Sequence, residues 1–294
     1  MLSILQNLVL ILELTLLYLP LVLGAYLALS LMQIPNLALE SALLMGAITG
    51  SVVSNFLATH PPASLMAGLL VAAICGGLVG LATGLLHAYG KLSHLLSNIV
   101  VIGATYGLSL LCLGGSHLTL SNSVKPLQTL NFITGYPCLP LLAIIALILA
   151  SSIYLFLKTQ LGVSCAIYGD NSRFLVSHKI SVPYVMCTGL TIANALAGTS
   201  GYLIAQNNGF VDTHMGVGLP LLCITALMLG KSILNSTRPI IFGLPIAGIM
   251  SYFVLQSILI QLGLDLRYFP LIQALVLTMI FLMQKSRHIS VLGV

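Results

Sequence analysis

The chain has 294 residues, 59% of them hydrophobic and only 5% charged, with a mean hydropathy of +1.11. So few charges leave a soluble fold of this length without enough polar surface to cover its core, which excludes a water-soluble enzyme or binding module. The net charge of +5 does not point to nucleic acid, because the basic residues fall in short segments between apolar runs, the pattern of cytoplasmic loops.

Nine apolar runs read as candidate membrane spans, at about residues 8–32, 39–58, 64–87, 95–114, 138–157, 183–206, 216–230, 239–262 and 268–283. Most approach the 20 residues that cross a hydrocarbon layer of roughly 30 Å. The count is eight to ten, since 33–45 reads as partly re-entrant. The fold expected is all-α, a polytopic transmembrane bundle forming a single domain over 1–294. The 27 glycines suit closely packed membrane helices. No Lys or Arg precedes the first run, so the basic start of a signal peptide is missing. Pro20, near the middle of that run, predicts a kink.

Alternating backwards from a cytoplasmic C-terminal tail puts Lys91, Lys158, Arg173, Lys179, Lys231, Arg238, Lys285 and Arg287 inside. Only Lys125 and Arg267 are then outside, and this bias places the N-terminus outside. The longest outer loop, 115–137, is either a platform for a periplasmic partner or a solvated connector. The outer loop 207–216 contains an Asn208-Gly209 turn signal, and Gly216 and Gly218 allow a bend into the next span.

Polar residues inside spans are costly and normally face a cavity or another helix. The acids in apolar runs are Glu13 and Glu40. A proton-driven carrier needs an ionisable group near the midplane, and Glu13, the acidic candidate, falls near the outer end. Asn98, Thr105, Tyr106 and Ser109 punctuate the fourth run; Thr191, Asn194, Thr199, Ser200 and Gln206 punctuate the sixth. Thr191, Asn194 and Gly198 share one helix face. Asn98, Tyr106, Thr191, Asn194 and Gln206 are therefore candidates either for lining a translocation path or for interhelical hydrogen bonds.

The six cysteines form no C-x-x-C pair, and five sit in or beside apolar runs; Cys138 is near the outer loop. No His is spaced with Glu as in a metalloprotease helix, and neither a nucleophile elbow nor a phosphate-binding loop is present. The sequence thus predicts no metal, no catalytic set and no ATP hydrolysis in this chain.

The polar stretch of about 158–183 carries Lys158, Arg173 and Lys179 on the positive side. Within and beyond it run Thr159-Gln160-Leu161-Gly162, Gly169-Asp170-Asn171, and Gly189 to Asn194, Gly198 and Gly201. Three further segments accompany them: Gly24 through Glu40 to Gly46, Gly84 to His87 with Leu95-Leu96, and Ala205 to Asp212 with Met215 to Gly218. In this order the motifs resemble the permeases of bacterial ABC importers. More narrowly they resemble the branch with branched-chain amino acid and sugar permeases, and within it the group described as tryptophan/tyrosine or uncharacterised ABC permeases.

The resemblance implies a type II-like importer permease in a bacterial inner membrane, working as a homodimer or pseudo-dimer. Its partners would be a cytoplasmic ABC ATPase, which holds the ATP and Mg, and a periplasmic or lipid-anchored substrate-binding protein. The solute would be small, with an aromatic amino acid as the first guess. Gly169, Asp170, Asn171, Arg173, Phe174, His178 and Lys179 would form the coupling segment. Asp and Asn are good helix N-caps, and Arg and Phe make interface anchors; the same amphipathic helix could instead rest on anionic membrane lipid. Two positions depart from the family pattern: Lys179 where Gly is frequent, and Gly230-Lys231 where Gly-Glu is frequent. The rival readings are an ATP-independent carrier or channel, and a membrane-embedded enzyme, for which no polar cluster is visible.

Overall fold

The computed structural model describes residues 2–57, 60–113, 117–119, 139–234, 243–263 and 270–279. The expectations for Cys138, Lys125, Arg238, Arg267, most of the outer loop 115–137 and the tail 284–294 lie outside those residues.

The first helix, α1 (Leu2–Ala25), passes through Pro20 without ending. The change of geometry comes six residues later, where Tyr26–Leu31 winds as a π-helix. The wider winding is visible in the hydrogen bonds: the Met32 N–H reaches back to the Leu27 carbonyl at 3.0 Å and the Ile34 N–H to that of Ala28 at 2.9 Å. The chain then runs without helix through residues 33–38, starting from a left-handed Gln33 (φ 54°), and resumes as α2 (Leu39–Phe56).

Two prolines open α3 (Pro61–Ala88), where their missing N–H groups are not needed. A tight turn leads to α4 (His94–Leu113), with the rings of His87 and His94 stacked 3.6 Å apart across it. Next come α5 (Leu139–Lys158), α6 (Gln160–Ser177), α7 (Val182–Asn208), α8 (Leu219–Leu234), α9 (Gly243–Gln261) and the short α10 (Pro270–Met279). Two three-residue strands, β1 (His117–Thr119) and β2 (Phe210–Asp212), pair antiparallel with His117 opposite Asp212.

Six of these segments are long and apolar enough to cross a membrane: α1 with its π extension, α2, α3, α4, α5 and α9. The apolar α8 and α10 are shorter. The 27-residue α7 reaches roughly 40 Å at 1.5 Å per residue, ample for a bilayer, yet its apolarity is diluted by Thr191, Asn194, Thr199, Ser200 and Gln206. Its position explains the composition. α7 is the central helix, surrounded by α1, α2 and α3 and touched by α6, and most of its side chains from Val185 to Gln206 are buried. Protein, not lipid, is the solvent for its polar groups.

Small residues set these contacts, as expected where no hydrophobic force drives helices together in lipid. Gly76 and Gly80 of α3 lie so close to α7 that a Cβ at either would collide with its backbone carbonyls, at Asn194 and Leu190. On the other side of α7 the Ser200 hydroxyl donates to the Leu17 carbonyl of α1 at 2.7 Å. A second group packs α8 on α9 through Gly230 and Gly248. There the buried Gln273 of α10 donates to the Thr225 hydroxyl at 3.3 Å and accepts from Tyr252 at 3.4 Å.

Candidate translocation and coupling site

The interruption between α1 and α2 defines the site. Irregular backbone is tolerated inside a membrane protein only where it is buried or lines a cavity, because its polar groups need partners. Two asparagines from other helices supply them. Asn98, in the first turns of α4, donates through Nδ2 to the Pro35 carbonyl at 2.7 Å and accepts the Ala38 N–H at 3.3 Å. Asn194, midway along α7, accepts from Asn36 Nδ2 at 3.2 Å. All three asparagines are at most 1% exposed. Asn36 Oδ1 and Asn194 Nδ2 have no further partner, so the pair retains unused hydrogen-bonding capacity. Gln33 and Pro35, in contrast, are exposed on the surface of the single chain.

The five sequence-predicted path residues divide accordingly. Asn98 and Asn194 converge on the break. Tyr106 stands apart, exposed at the edge of a cavity of about 60 Å³ that it shares with Glu40, Thr213 and Gly216. Glu40, in the first turn of α2, is half-buried there. Thr191 turns its hydroxyl to the Cys187 carbonyl of its own helix and its methyl toward Gly77 of α3, so it serves packing. Gln206 is fully buried near the C-terminal end of α7, with both amide atoms unpartnered. Asn36 was not among the predicted residues. Its signal was the Ile34-Pro35-Asn36 step, a Pro and an amide together between two apolar runs.

The basic segment is α6. Thr159 caps its start, accepting the Gly162 N–H at 3.3 Å, which gives the Thr-Gln-Leu-Gly motif its geometry. Helical geometry fails at Asn171 (φ −153°, ψ 91°), and the Asn171 side chain accepts the Arg173 N–H at 3.1 Å, so this residue ends one helix and caps a second short one. Leu175 anchors the second piece in the bundle, while Asp170, Asn171, Arg173, Phe174, His178 and Lys179 are exposed. The Phe174 and His178 rings lie 4.0 Å apart. The short helix closes with the Ile180 N–H on the Leu175 carbonyl and the Lys179 N–H on that of Val176. Lys179 occupies the left-handed position of this closure (φ 58°), where Gly is favoured because it has no Cβ.

The first piece of α6 is tied to the break. Gly169 lies against the carbonyls of Leu31 and Met32, where the π-helix ends, with no room for a Cβ. Gly189 of α7 meets the Met32 and Cys165 sulfurs. Cys165 is completely buried, its thiol pushed up to about 11 by desolvation and donating to the Val185 carbonyl at 3.8 Å. Exposed basic and aromatic groups, a docked glycine, a π-helix and a break held by asparagines are therefore contiguous. Among the described residues, no three His, Cys, Asp or Glu side chains are grouped to hold a metal.

A multi-helix membrane bundle with a buried break between its first two helices, and an exposed polar segment packed beside that break, has the features of a transport protein. Over residues 7–283 the sequence matches the family described as branched-chain amino acid transport system / permease component, and the chain belongs to that family. It is 32% identical to the tyrosine transport system permease protein of Clostridioides difficile (strain R20291) over 252 residues, 83% of this chain and 81% of that one. It is 29% identical to the uncharacterized protein RP368 of Rickettsia prowazekii (strain Madrid E) over 272 residues, 90% and 93% of the two chains. With the autoinducer 2 import system permease protein LsrC of Yersinia pestis (strain Pestoides F) the identity is 28% over 238 residues, 79% of this chain and 66% of the relative. No solved structure matches the chain. The protein is thus the permease component of an ABC-type transport system, a multi-pass membrane subunit rather than an enzyme.

Proposed function

We propose that this chain is the membrane subunit of a binding-protein-dependent importer in a bacterial inner membrane, moving a small solute inward by ATP-driven alternating access. Nine spans, an external N-terminus and a cytoplasmic C-terminus put α6 on the ATPase side. Two copies form the path, each carrying one ATPase, and the binding protein delivers solute to the opposite face. The ATP and Mg belong to the ATPase partner. An aromatic amino acid is the preferred solute, a reading that rests on the tyrosine permease relative.

The contact of Gly169 with the Leu31 carbonyl carries this reading. Phe174, Arg173 and His178 meet the ATPase; a push on them moves the first piece of α6, which moves the end of the π-helix. The break then exchanges its hydrogen bonds at Asn98 and Asn194 as the path switches sides. A wide-wound turn and an irregular segment are suited to this, since they are common where helices must change shape.

The test is affinity purification of the tagged protein from its native membrane in mild detergent, followed by mass spectrometry. An ATPase that co-purifies with the wild type and is lost with Arg173→Glu and Phe174→Ala supports the proposal. A preparation free of ATPase that still moves tyrosine into liposomes would replace it with an ATP-independent carrier.

A further inference from the structure

A groove of about 590 Å³ lies between α1, α5 and α9, bounded by Leu16, Leu19, Ala143, Ala150, Tyr154 and Ile246. Apart from Ser151 and Tyr154, every side chain lining it is a hydrocarbon, and none is acidic. Along α5 the groove runs from Ala143 to Tyr154, roughly 16 Å at 1.5 Å per residue. That is about half of a hydrocarbon layer of roughly 30 Å, the central half of the 20-residue α5. At the end nearer α6 the Lys158 ammonium sits over the Tyr154 ring, 4.4 Å from its centroid. The aromatic face holds the cation beside the mouth of the groove instead of leaving it free to sweep through water.

We infer that this groove is a binding site for one anionic phospholipid, with an acyl chain along α5 and the headgroup phosphate on Lys158. Three features select that occupant. The groove accepts hydrocarbon but runs along only about half of α5, room for one acyl chain and short of the full-length contact of a second helix packed on α5. The Lys158 cation stands at one end of the groove, where a phosphate would lie. Its sign is that which attracts anionic lipid. The site is separate from the solute path and does not depend on the transport reading.

The experiment is native mass spectrometry of the full chain, delipidated in a neutral detergent and titrated with phosphatidylglycerol or phosphatidylcholine of identical acyl chains. The wild type retains one phosphatidylglycerol, preferred about fivefold, the worth of one basic residue at a charged membrane surface. Lys158→Ala abolishes that preference and leaves phosphatidylcholine retention unchanged. Ser151→Phe, which fills the groove, loses both lipids while circular dichroism reports native helix content. Equal retention of the two lipids by the wild type, or an undiminished preference in Lys158→Ala, overturns the inference. So does a disulfide between two copies formed through Leu147→Cys in membranes, which would put a second protein helix where the lipid is placed.

Discussion

Gly169 packs so closely against the carbonyl group of Leu31 that it joins the exposed basic segment α6 to the last turn of the π-helix. A glycine is required by that contact, because any Cβ would be driven into backbone, which cannot rotate away as a side chain can.

Gly169→Ala therefore separates α6 from the break. The expected cost is about 1–3 kcal/mol, as for other overpacked contacts. Binding of the ATPase survives, since Arg173 and Phe174 are untouched, but transport driven by ATP falls. Uptake in proteoliposomes measured beside ATPase hydrolysis separates the two. Wild-type uptake in this variant would show that force does not pass through Gly169.

Asn98→Ala leaves the buried Ala38 N–H without its partner, at about 1–3 kcal/mol. Asn194→Leu removes the acceptor of Asn36. Both substitutions are expected to lower thermal stability and transport together. Thr191→Val, whose hydroxyl bonds only within its own helix turn, leaves transport near the wild-type level. Equal loss in all three would mean that the break is not special among the polar sites of α7.

Lys179→Gly is predicted to stabilise the protein. The left-handed backbone at this position costs a residue with a Cβ about 1 kcal/mol or more, and glycine removes that cost. A melting curve in detergent reads the change. A lower melting temperature would indicate that the lysine side chain makes a contact worth more than the backbone strain.

Cys165 supplies a report on motion. With its thiol pushed up to about 11, only about one molecule in a thousand carries a thiolate at pH 8. The group is also sealed between α6 and α7. Maleimide should leave it unlabelled in the resting protein and label it after denaturation. Labelling that appears only during ATP turnover would mark the moment when α6 lifts from the bundle; rapid labelling at rest would contradict the packing described here.

Much of the bundle was legible in hydropathy alone. The run at 95–114 became His94–Leu113 and the run at 183–206 became Val182–Asn208, each shifted by one or two residues. The amide and hydroxyl residues of the sixth run marked the helix that the others surround. Hydropathy could not show the π-helix, because Tyr26 to Leu31 is as apolar as the turns before it and a change of winding leaves the composition intact. Nor could it choose between partners for Asn194, since Asn36 is 158 positions away in sequence. The left-handed Lys179 was visible only as a departure from the family pattern; the backbone angle supplies its physical meaning.

The central place of α7 also has a consequence for how the protein is made. Leu17, Asn36 and the glycine face of α3 are shaped to fit a helix that ends at Asn208. At ribosomal speeds of 5–20 residues per second, the 158 positions between Asn36 and Asn194 take roughly ten to thirty seconds to synthesise. For the later part of that interval, once Ala88 has been made, the first three helices stand in the bilayer with a bare amide and an uncovered groove, awaiting the strut they enclose. A chain truncated before residue 182 would keep those surfaces open, and should be a substrate for membrane quality control.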